Sequence, residues 1–432
     1  MMQYHTFSAE DLAALASGLG GKSAIQEINS SRLSRHLLLL KFIAQEWPAN
    51  RRYLDTAVAT LAEAQRRSPH RFATLLGDPI VGAWLAHTAR RLRDPDPIGL
   101  PLSGDLLQLS GLAATAALEL EFECEVTGAV RRGRFSFPCL GDAALGDDAD
   151  GPVTVAVADS QATLTGDFGK STAPGGVGNW RELRRLTARH DGMTCTVRIE
   201  DGSPYRHNYH VAASERLTAG QIGDWQMLFV EAWELLCRYA PERAAELAMG
   251  LHVLVPLADT GDGAARSATA NDSTGALGLT LPQSAADLAV TLVHEFQHSK
   301  LTAVEGLSPL HRTVSNELHY APWRVDARPT SGLLQGVYAF LGVAQTWHCL
   351  RAEPALNAVA TTQFATAREQ VRVGLEALET SLELTRKGHE FTNGMRAALD
   401  RLLAEPLPTA ALAAARVTLR ARRAAWERHR EG

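Results

Sequence analysis

The segment from His294 to His298 reads His-Glu-Phe-Gln-His and constrains the fold more than any other stretch of this chain. Ser284, followed three residues later by Asp287, is typical of a helix N-terminus, and apolar residues then recur at helical spacing. Side chains four positions apart on a helix project from the same face, so both imidazoles can bind one cation while Glu295 lies beside them. The pattern predicts a metal-binding helix whose carboxylate can handle a proton on metal-bound water.

The 432-residue chain as a whole predicts an α+β fold in three regions. Helical spacing of apolar residues indicates a helical N-terminal region over residues 1–115, in which the run Leu37–Leu40 is expected to face the core. Strict alternation, as from Leu118 to Val126, predicts a β-rich region of antiparallel strands over residues 116–210. Residues 211–432 are expected to form a zincin-like catalytic region with the metal helix, a preceding edge strand and a helical C-terminus.

The charge and cysteine content exclude some classes of protein. A formal net charge of −5 and a pI near 6.3 leave no basic field for a phosphate backbone, so we expect no nucleic-acid partner. The five cysteines include no C-x-x-C pair, which favours a reducing compartment. The N-terminus lacks a signal-peptide pattern and no apolar run reaches the roughly 18 residues of a membrane span. We therefore expect a cytoplasmic protein with no membrane partner.

The strand before the metal helix is a candidate for substrate binding. In sites like those of zinc peptidases, such a strand lies along the cleft as an edge to which an extended peptide can pair. The segment Gly275–Leu281 occupies this position, which makes Leu277 and Leu279 candidate substrate contacts. An ordinary sheet strand is the alternative. Tyr320 and Trp323 are two further candidates for contact with a substrate.

Two histidines rarely complete a metal site, so a third ligand is expected downstream. The nearby candidates are Glu305, His311, Glu317, His319, Asp326 and Gln335. Of these, Glu305 is expected to point away from the metal face, because it lies seven residues after His298 on the same predicted helix. His311 and His319 are expected to lie in a loop.

Residues 319–332 carry two arginines, one acid and two aromatic side chains in a short non-helical run. The planar guanidinium groups of Arg324 and Arg328 can each bind a carboxylate through two hydrogen bonds. A cosubstrate that carries a carboxylate requires such a group. The alternative is a structural role in which the arginines form ion pairs with acids such as Asp326.

Three segments of the sequence resemble the HExxH-type peptide β-hydroxylases, a family also described as HEXXH-motif peptide modification proteins. They are Leu292–Leu301, Tyr320–Pro329 and Gly332–Ala339. The resemblance extends upstream through Asp201–Arg206, Ser267–Thr269 and Gly275–Pro282, and it covers about half of the chain. It implies Fe(II) and 2-oxoglutarate as cofactors, and hydroxylation of a side-chain β-carbon in a ribosomally synthesised precursor peptide, often beside radical-SAM maturation enzymes, on a scaffold similar to that of metallopeptidases.

The resemblance also implies roles for particular residues. His294 and His298 would hold iron, and Arg324 or Arg328 would bind a carboxylate of 2-oxoglutarate. Glu295 would then orient a ligand or a water rather than act as a general base.

The third ligand stays open under this resemblance. A site of two histidines and one carboxylate favours Asp326, whereas a ligand on the next helix favours Gln335.

Two other classes of function compete with this expectation. A zinc metallopeptidase would use the same helix, with Glu295 activating a zinc-bound water and an arginine stabilising an oxyanion or a substrate carboxylate. A non-enzymatic binding module for a precursor peptide would hold a structural metal, and an open coordination position would argue against it.

Overall fold

A computed structural model describes residues 4–46, 52–94, 102–174, 180–206, 209, 211–312 and 317–431. The chain begins with helices, as the sequence predicts, and helix-capping side chains such as Ser8 and Asp78 mark where α1 and α5 begin. The helices of this first part are α1 (Ala9–Ala16), α2 (Gly21–Glu46), α3 (Arg52–Arg67), α4 (Pro69–Leu76), α5 (Pro79–Arg93) and α6 (Leu102–Glu119).

Short antiparallel strands follow, where the sequence alternates and glycines mark the turns. They are β1 (Cys124–Val130), β2 (Arg134–Phe137), β3 (Gly141–Ala144), β4 (Gly151–Ala158), β5 (Gln161–Gly166), β6 (Gly169–Ala173) and β7 (Trp180–Glu182). One sheet has the order β1-β4-β5-β6 and a second the order β2-β3-β7. Every pairing within these two sheets is antiparallel, as expected for this region.

A third, mixed sheet lies beside the predicted metal helix. Its strands are β8 (Arg185–His190), β9 (Met193–Ile199), β10 (Val253–Pro256), β11 (Ser267–Thr269) and β12 (Ala276–Leu279), in the order β11-β12-β10-β9-β8. The strand β10 is parallel to β9 and to β12, whereas β8 and β11 are antiparallel to their neighbours. The strands β8 and β9, which fall in the range expected for the β-rich region, therefore share a sheet with strands of the region that follows.

The edge strand of this mixed sheet is β11, not the strand directly before the metal helix. Leu277 pairs with Leu254 on one side and with Thr269 on the other, so β12 lies inside the sheet. Leu277 and Leu279 are 0% and 1% exposed. Their expected contact with a substrate is wrong, because a strand that is apolar on both faces is buried on both faces.

The rest of the chain is mostly helical. Its elements are α7 (Ala219–Tyr239), α8 (Pro241–Gly250), α9 (Ala285–Leu307), β13 (Leu318–His319), β14 (Arg328–Pro329), α10 (Thr330–Leu350), α11 (Asn357–Glu379), α12 (Arg386–Ala404) and α13 (Thr409–Glu431). The helix α9 contains the His-Glu-Phe-Gln-His segment. Within the described residues, no helix combines the length and apolar character that crossing a bilayer requires.

Two large apolar cores hold these elements together, and α2 contributes to both. Ile25, in the first half of α2, packs in a core with α9, α10 and the strands β8, β9, β10 and β12 of the mixed sheet. Ile43, in the second half, packs in a core with α3, α6 and the β1-β4-β5-β6 sheet. The fold is thus a mixture of helices and sheets, in which α2 passes from one core to the other along the face where the candidate site lies.

Candidate metal centre

The two histidines of α9 line a large cavity. Ser284 caps the helix by accepting a hydrogen bond from the amide of Asp287 at 3.1 Å, as the sequence predicts. The ring centroids of His294 and His298 are 4.9 Å apart, and both rings line a cavity of about 2520 Å³. Burial lowers the pKa of His294 to about 4, with the neighbouring His298 as a smaller cause. A neutral imidazole is the form that binds metal ions.

Glu295 is fixed by a residue of the edge strand β11. Its Oε2 accepts a hydrogen bond from Thr269 Oγ1 at 2.6 Å, and its Oε1 lies 3.8 Å from His294 Nε2. Glu295 is only 2% exposed, so the hydroxyl of Thr269 is a main source of stabilisation for this carboxylate. The sequence did not predict the contact between Thr269 and Glu295, because these two residues are far apart in the chain.

A hydrogen-bond chain on the cavity side of α9 orients His298. Gln335 Nε2 donates to Glu305 Oε2 at 2.9 Å, so Gln335 Oε1 is free to accept from His298 Nδ1 at 3.0 Å. This arrangement fixes the proton on Nδ1 and leaves the lone pair of Nε2 for a ligand. Gln335, one of the two expected third ligands, therefore contacts His298 rather than lying apart from it.

Glu305 faces the cavity, which contradicts the expectation that it points away. At about 3.6 residues per turn, a separation of seven residues is almost two complete turns, so Glu305 and His298 share a face. Its Oε1 lies 3.0 Å from His311 Nε2, and burial raises the pKa of Glu305. Glu305 and His311 both line the cavity with the two motif histidines. The two other downstream candidates, Glu317 and His319, instead contact Ser381 and Thr330.

Asp326, the other expected third ligand, forms ion pairs with the two arginines of its loop. Arg324 Nε donates to Asp326 Oδ1 at 2.7 Å, and Arg328 Nη1 lies 3.5 Å from Oδ2. The hydrogen bond from Arg324 lowers the pKa of Asp326. Both arginines line the cavity, whereas Asp326 does not. The arginines therefore line the same cavity as the histidines, with Asp326 as their counter-charge.

The two aromatic candidates of this loop have different surroundings. Trp323 stacks on Phe340 with ring centroids 4.8 Å apart, and Phe340 in turn contacts the ring of His294 at 5.3 Å. Trp323 lines the cavity. Tyr320 lies 5.1 Å from Trp426 of α13 and is not among the cavity-lining residues. Trp323 thus forms part of the cavity wall, whereas Tyr320 packs against α13.

The residues present fit a metal ion only in part. Across the described ranges, no three side chains of His, Cys, Asp or Glu are grouped closely enough to hold a metal by themselves. The two imidazoles supply two nitrogen donors, and the amide oxygen of Gln335 and the carboxylate of Glu305 lie next in the hydrogen-bond chain. A third protein ligand therefore requires one of these two side chains to change its hydrogen-bond partner.

The chain was compared with models of protein families and with curated proteins. No family model matches this chain, and no curated protein matches it. The function is therefore inferred from the cavity, its two histidines and its two arginines.

Proposed function

We propose that the protein binds Fe(II) at His294 and His298 and uses 2-oxoglutarate to hydroxylate a side-chain β-carbon of a ribosomally synthesised precursor peptide. One observation carries this proposal: two guanidinium groups that suit a carboxylate line the same cavity as two imidazoles that suit a metal. We propose further that the mixed sheet, its antiparallel edge strand β11 and α9 form a zincin-like scaffold.

The chain itself prepares the two nitrogen donors. The hydrogen bond between His298 and Gln335 selects the tautomer with a free Nε2, and burial keeps His294 neutral. Glu305 would complete the protein ligands by turning from Gln335, which keeps the bond between Gln335 and His298. Gln335 would do so only by giving up that bond, and His298 would then lose the contact that selects its tautomer. Bound Fe(II) would supply activation of O2, with 2-oxoglutarate oxidised to succinate and CO2 as the peptide C–H bond becomes C–OH.

The arginine loop would hold the cosubstrate. Arg324 and Arg328 share Asp326 as a counter-charge, and that carboxylate is 40% exposed. A dicarboxylic acid that enters the cavity can therefore replace part of the Asp326 contact with a bidentate pair to one guanidinium. Trp323 stacks on Phe340, which contacts His294, so this wall of the cavity is apolar.

The edge strand β11 would bind the peptide backbone. Thr280 donates its amide to the carbonyl of Arg266 at 2.9 Å, so Arg266 directs its backbone groups toward β12. Backbone groups alternate in direction along an antiparallel pair, so those of Ser267 and Thr269 face away from β12. A peptide can add to this edge as a further strand, next to Glu295.

The decisive experiment is mass spectrometry of a candidate precursor peptide. The protein and Fe(II) are mixed with the peptide without oxygen, and 2-oxoglutarate and air are then added together or singly. A gain of one oxygen only when both are present supports the proposal. We propose a cytoplasmic setting for this reaction. We also propose a radical-SAM maturation enzyme of the same pathway as a partner, and co-purification of the two proteins would test this.

A zinc metallopeptidase is the second candidate, and the position of Glu295 favours it. This carboxylate lies 3.8 Å from His294 Nε2, close enough to a metal held there to activate a bound water. Cleavage of the peptide with zinc alone, abolished by Glu295→Gln, would establish this function. Oxygen insertion that survives Glu295→Gln would exclude it.

A further inference from the structure

The cavity that contains the two histidines is much larger than one cosubstrate requires. Its volume of about 2520 Å³ compares with roughly 300–1,000 Å³ for typical small-molecule sites. Besides α9 and β11, its lining includes residues of α2 and α3, and we call this part the distal arm. The distal arm is defined by Leu33, Leu37, Leu40, Lys41, Ala44 and Val58.

The wall of the distal arm is an apolar stripe on α2. Leu33, Leu37, Leu40 and Ala44 are spaced by four, three and four residues, so they lie on one face of the helix. All four are half-buried, packing on the core beneath them while lining the cavity above. Leu38 beside them is 55% exposed. The run expected to face the core therefore also offers apolar surface to the cavity.

The distal arm is also positively charged, in a chain whose net charge is −5. Lys41 is exposed beside the stripe, and Arg35 and Arg32 precede it on α2 by six and nine residues. The acidic side chain of Asp272 also lines the cavity, and its carboxylate oxygens lie 2.7 Å from Arg35 and 2.5 Å from Arg90. Two cations therefore neutralise its single negative charge. An acidic segment is therefore attracted to this arm and a basic one is repelled.

The rest of the cavity lining is closer to balance. Arg266 is paired with Asp262, and Arg324 and Arg328 share Asp326, so the cations without a carboxylate partner among the described residues, such as Lys41, belong to the part lined by α2.

We propose that the distal arm binds an acidic, apolar segment of the peptide substrate, at a distance from the residue that reacts. The inference rests on the proposed function, because it takes the substrate to be a peptide. A peptide that pairs with β11 at the metal centre leaves along the same cavity. Its next residues then reach the stripe on α2, where leucine-like side chains cover Leu37 and Leu40 and carboxylates approach Lys41.

The test uses synthetic peptides and needs no metal. The probe is a fluorescein-labelled peptide of about 15 residues, long enough for a marginal helix, with leucines spaced four, three and four apart and glutamates between them. One control peptide has lysine for every glutamate, and another has serine for every leucine. Fluorescence anisotropy is measured with the full chain and with its His294→Ala variant, so that docking is separated from metal chemistry.

We expect the acidic apolar peptide to bind both proteins equally and both control peptides to bind at least tenfold more weakly. Lys41→Glu should weaken binding roughly tenfold, which corresponds to about 1.4 kcal/mol. Lys22→Glu is the matched control, because Lys22 is exposed on the same helix but does not line the cavity. It should leave the affinity unchanged.

Three results would overturn the proposal. One is equal binding of the lysine peptide, and another is an affinity that Lys41→Glu does not change. The third is a dimer in sedimentation that Leu38→Ser dissociates, since a second copy would then occupy the stripe. If the peptide docks as expected while no oxygen is inserted into any precursor, the proposed function fails and the docking site stands.

Discussion

The two faces of α9 carry polar side chains under opposite conditions. On the face away from the cavity, Lys300 is fully buried, and its Nζ donates to Glu246 at 2.7 Å and to the carbonyl of Gly18 at 3.0 Å. On the cavity face, His294 and His298 are partly exposed, and His298 takes part in a chain of amide and carboxylate groups.

The difference separates what holds the helix from what it presents. The buried face fixes the position of α9 through an ion pair and hydrogen bonds that are shielded from water. The cavity face keeps side chains that can exchange partners, which a ligand requires. Substitutions on the two faces should therefore have different effects, from the largest to the smallest as follows.

Lys300→Met should destabilise the protein by about 3 kcal/mol, because it removes the nearer charge partner of the buried Glu246 and leaves only Arg243, whose Nη1 is 3.9 Å from Glu246 Oε2. Urea unfolding followed by circular dichroism measures this change. Lys22→Met, at an exposed position, is the matched control and should change stability by less than about 0.5 kcal/mol. An equally small effect at Lys300 would contradict the role assigned to the buried face.

Glu246→Gln and Glu305→Gln should show opposite dependence on pH. Burial raises the pKa of Glu246, but the charges of Lys300 and Arg243 outweigh it, so the net pKa is lowered. The stability from Glu246 is therefore present above the unfolded pKa near 4.5 and is lost as the pH falls through the folded pKa.

Burial raises the pKa of Glu305, so its contribution is present at acid pH and is lost as the pH rises. At neutral pH we expect Glu246→Gln to cost about 2 kcal/mol and Glu305→Gln to cost little or to stabilise. Denaturation series at neutral and acid pH measure both. If the effect of both substitutions on stability changed in the same direction with pH, the comparison would be contradicted.

Gly336→Ala should cost about 1–3 kcal/mol, because a Cβ at this position of α10 would collide with the ring of Trp323. The displaced indole should also change its fluorescence. Gly223→Ala, with open space around the new methyl group in α7, is the control and should be neutral or slightly stabilising. Equal effects at both glycines would show that Trp323 is not held against α10.

Arg423→Ala should have the smallest effect, about 0.5–1 kcal/mol, because Arg423 lies over the rings of Tyr320 and Trp426 at the surface. Limited proteolysis should show faster cleavage near Tyr320, the residue of the arginine loop that packs against α13. Arg428→Ala, exposed on the same helix, serves as the control. Unchanged proteolysis in Arg423→Ala would show that other contacts hold this loop.

The sequence predicted the local parts of this arrangement. The bounds and cap of α9 follow from Ser284, Asp287 and the apolar spacing, because these signals act within one helix. The sequence also indicated an arginine-rich loop with Trp323. These features are decided by neighbouring residues in the chain.

Predictions that depended on tertiary contacts did less well. The edge position was assigned to β12 because it precedes α9, although its apolar residues on both faces are typical of an inner strand. The prediction that Glu305 points away from the metal face is wrong, because seven residues are almost two complete helical turns. The contact of Thr269 with Glu295 and the distal arm could not be found from local pattern, because they arise where β11 and α2 approach α9.

The most direct test of the central claim is anaerobic titration of Fe(II) and 2-oxoglutarate into the protein, followed by visible absorption. The account predicts the charge-transfer band that 2-oxoglutarate gives when it binds Fe(II). The band should be lost in His294→Ala and should need more 2-oxoglutarate in the variants Arg324→Leu or Arg328→Leu. No band with the unaltered protein, together with tight zinc binding and peptide cleavage, would contradict the account and favour the peptidase.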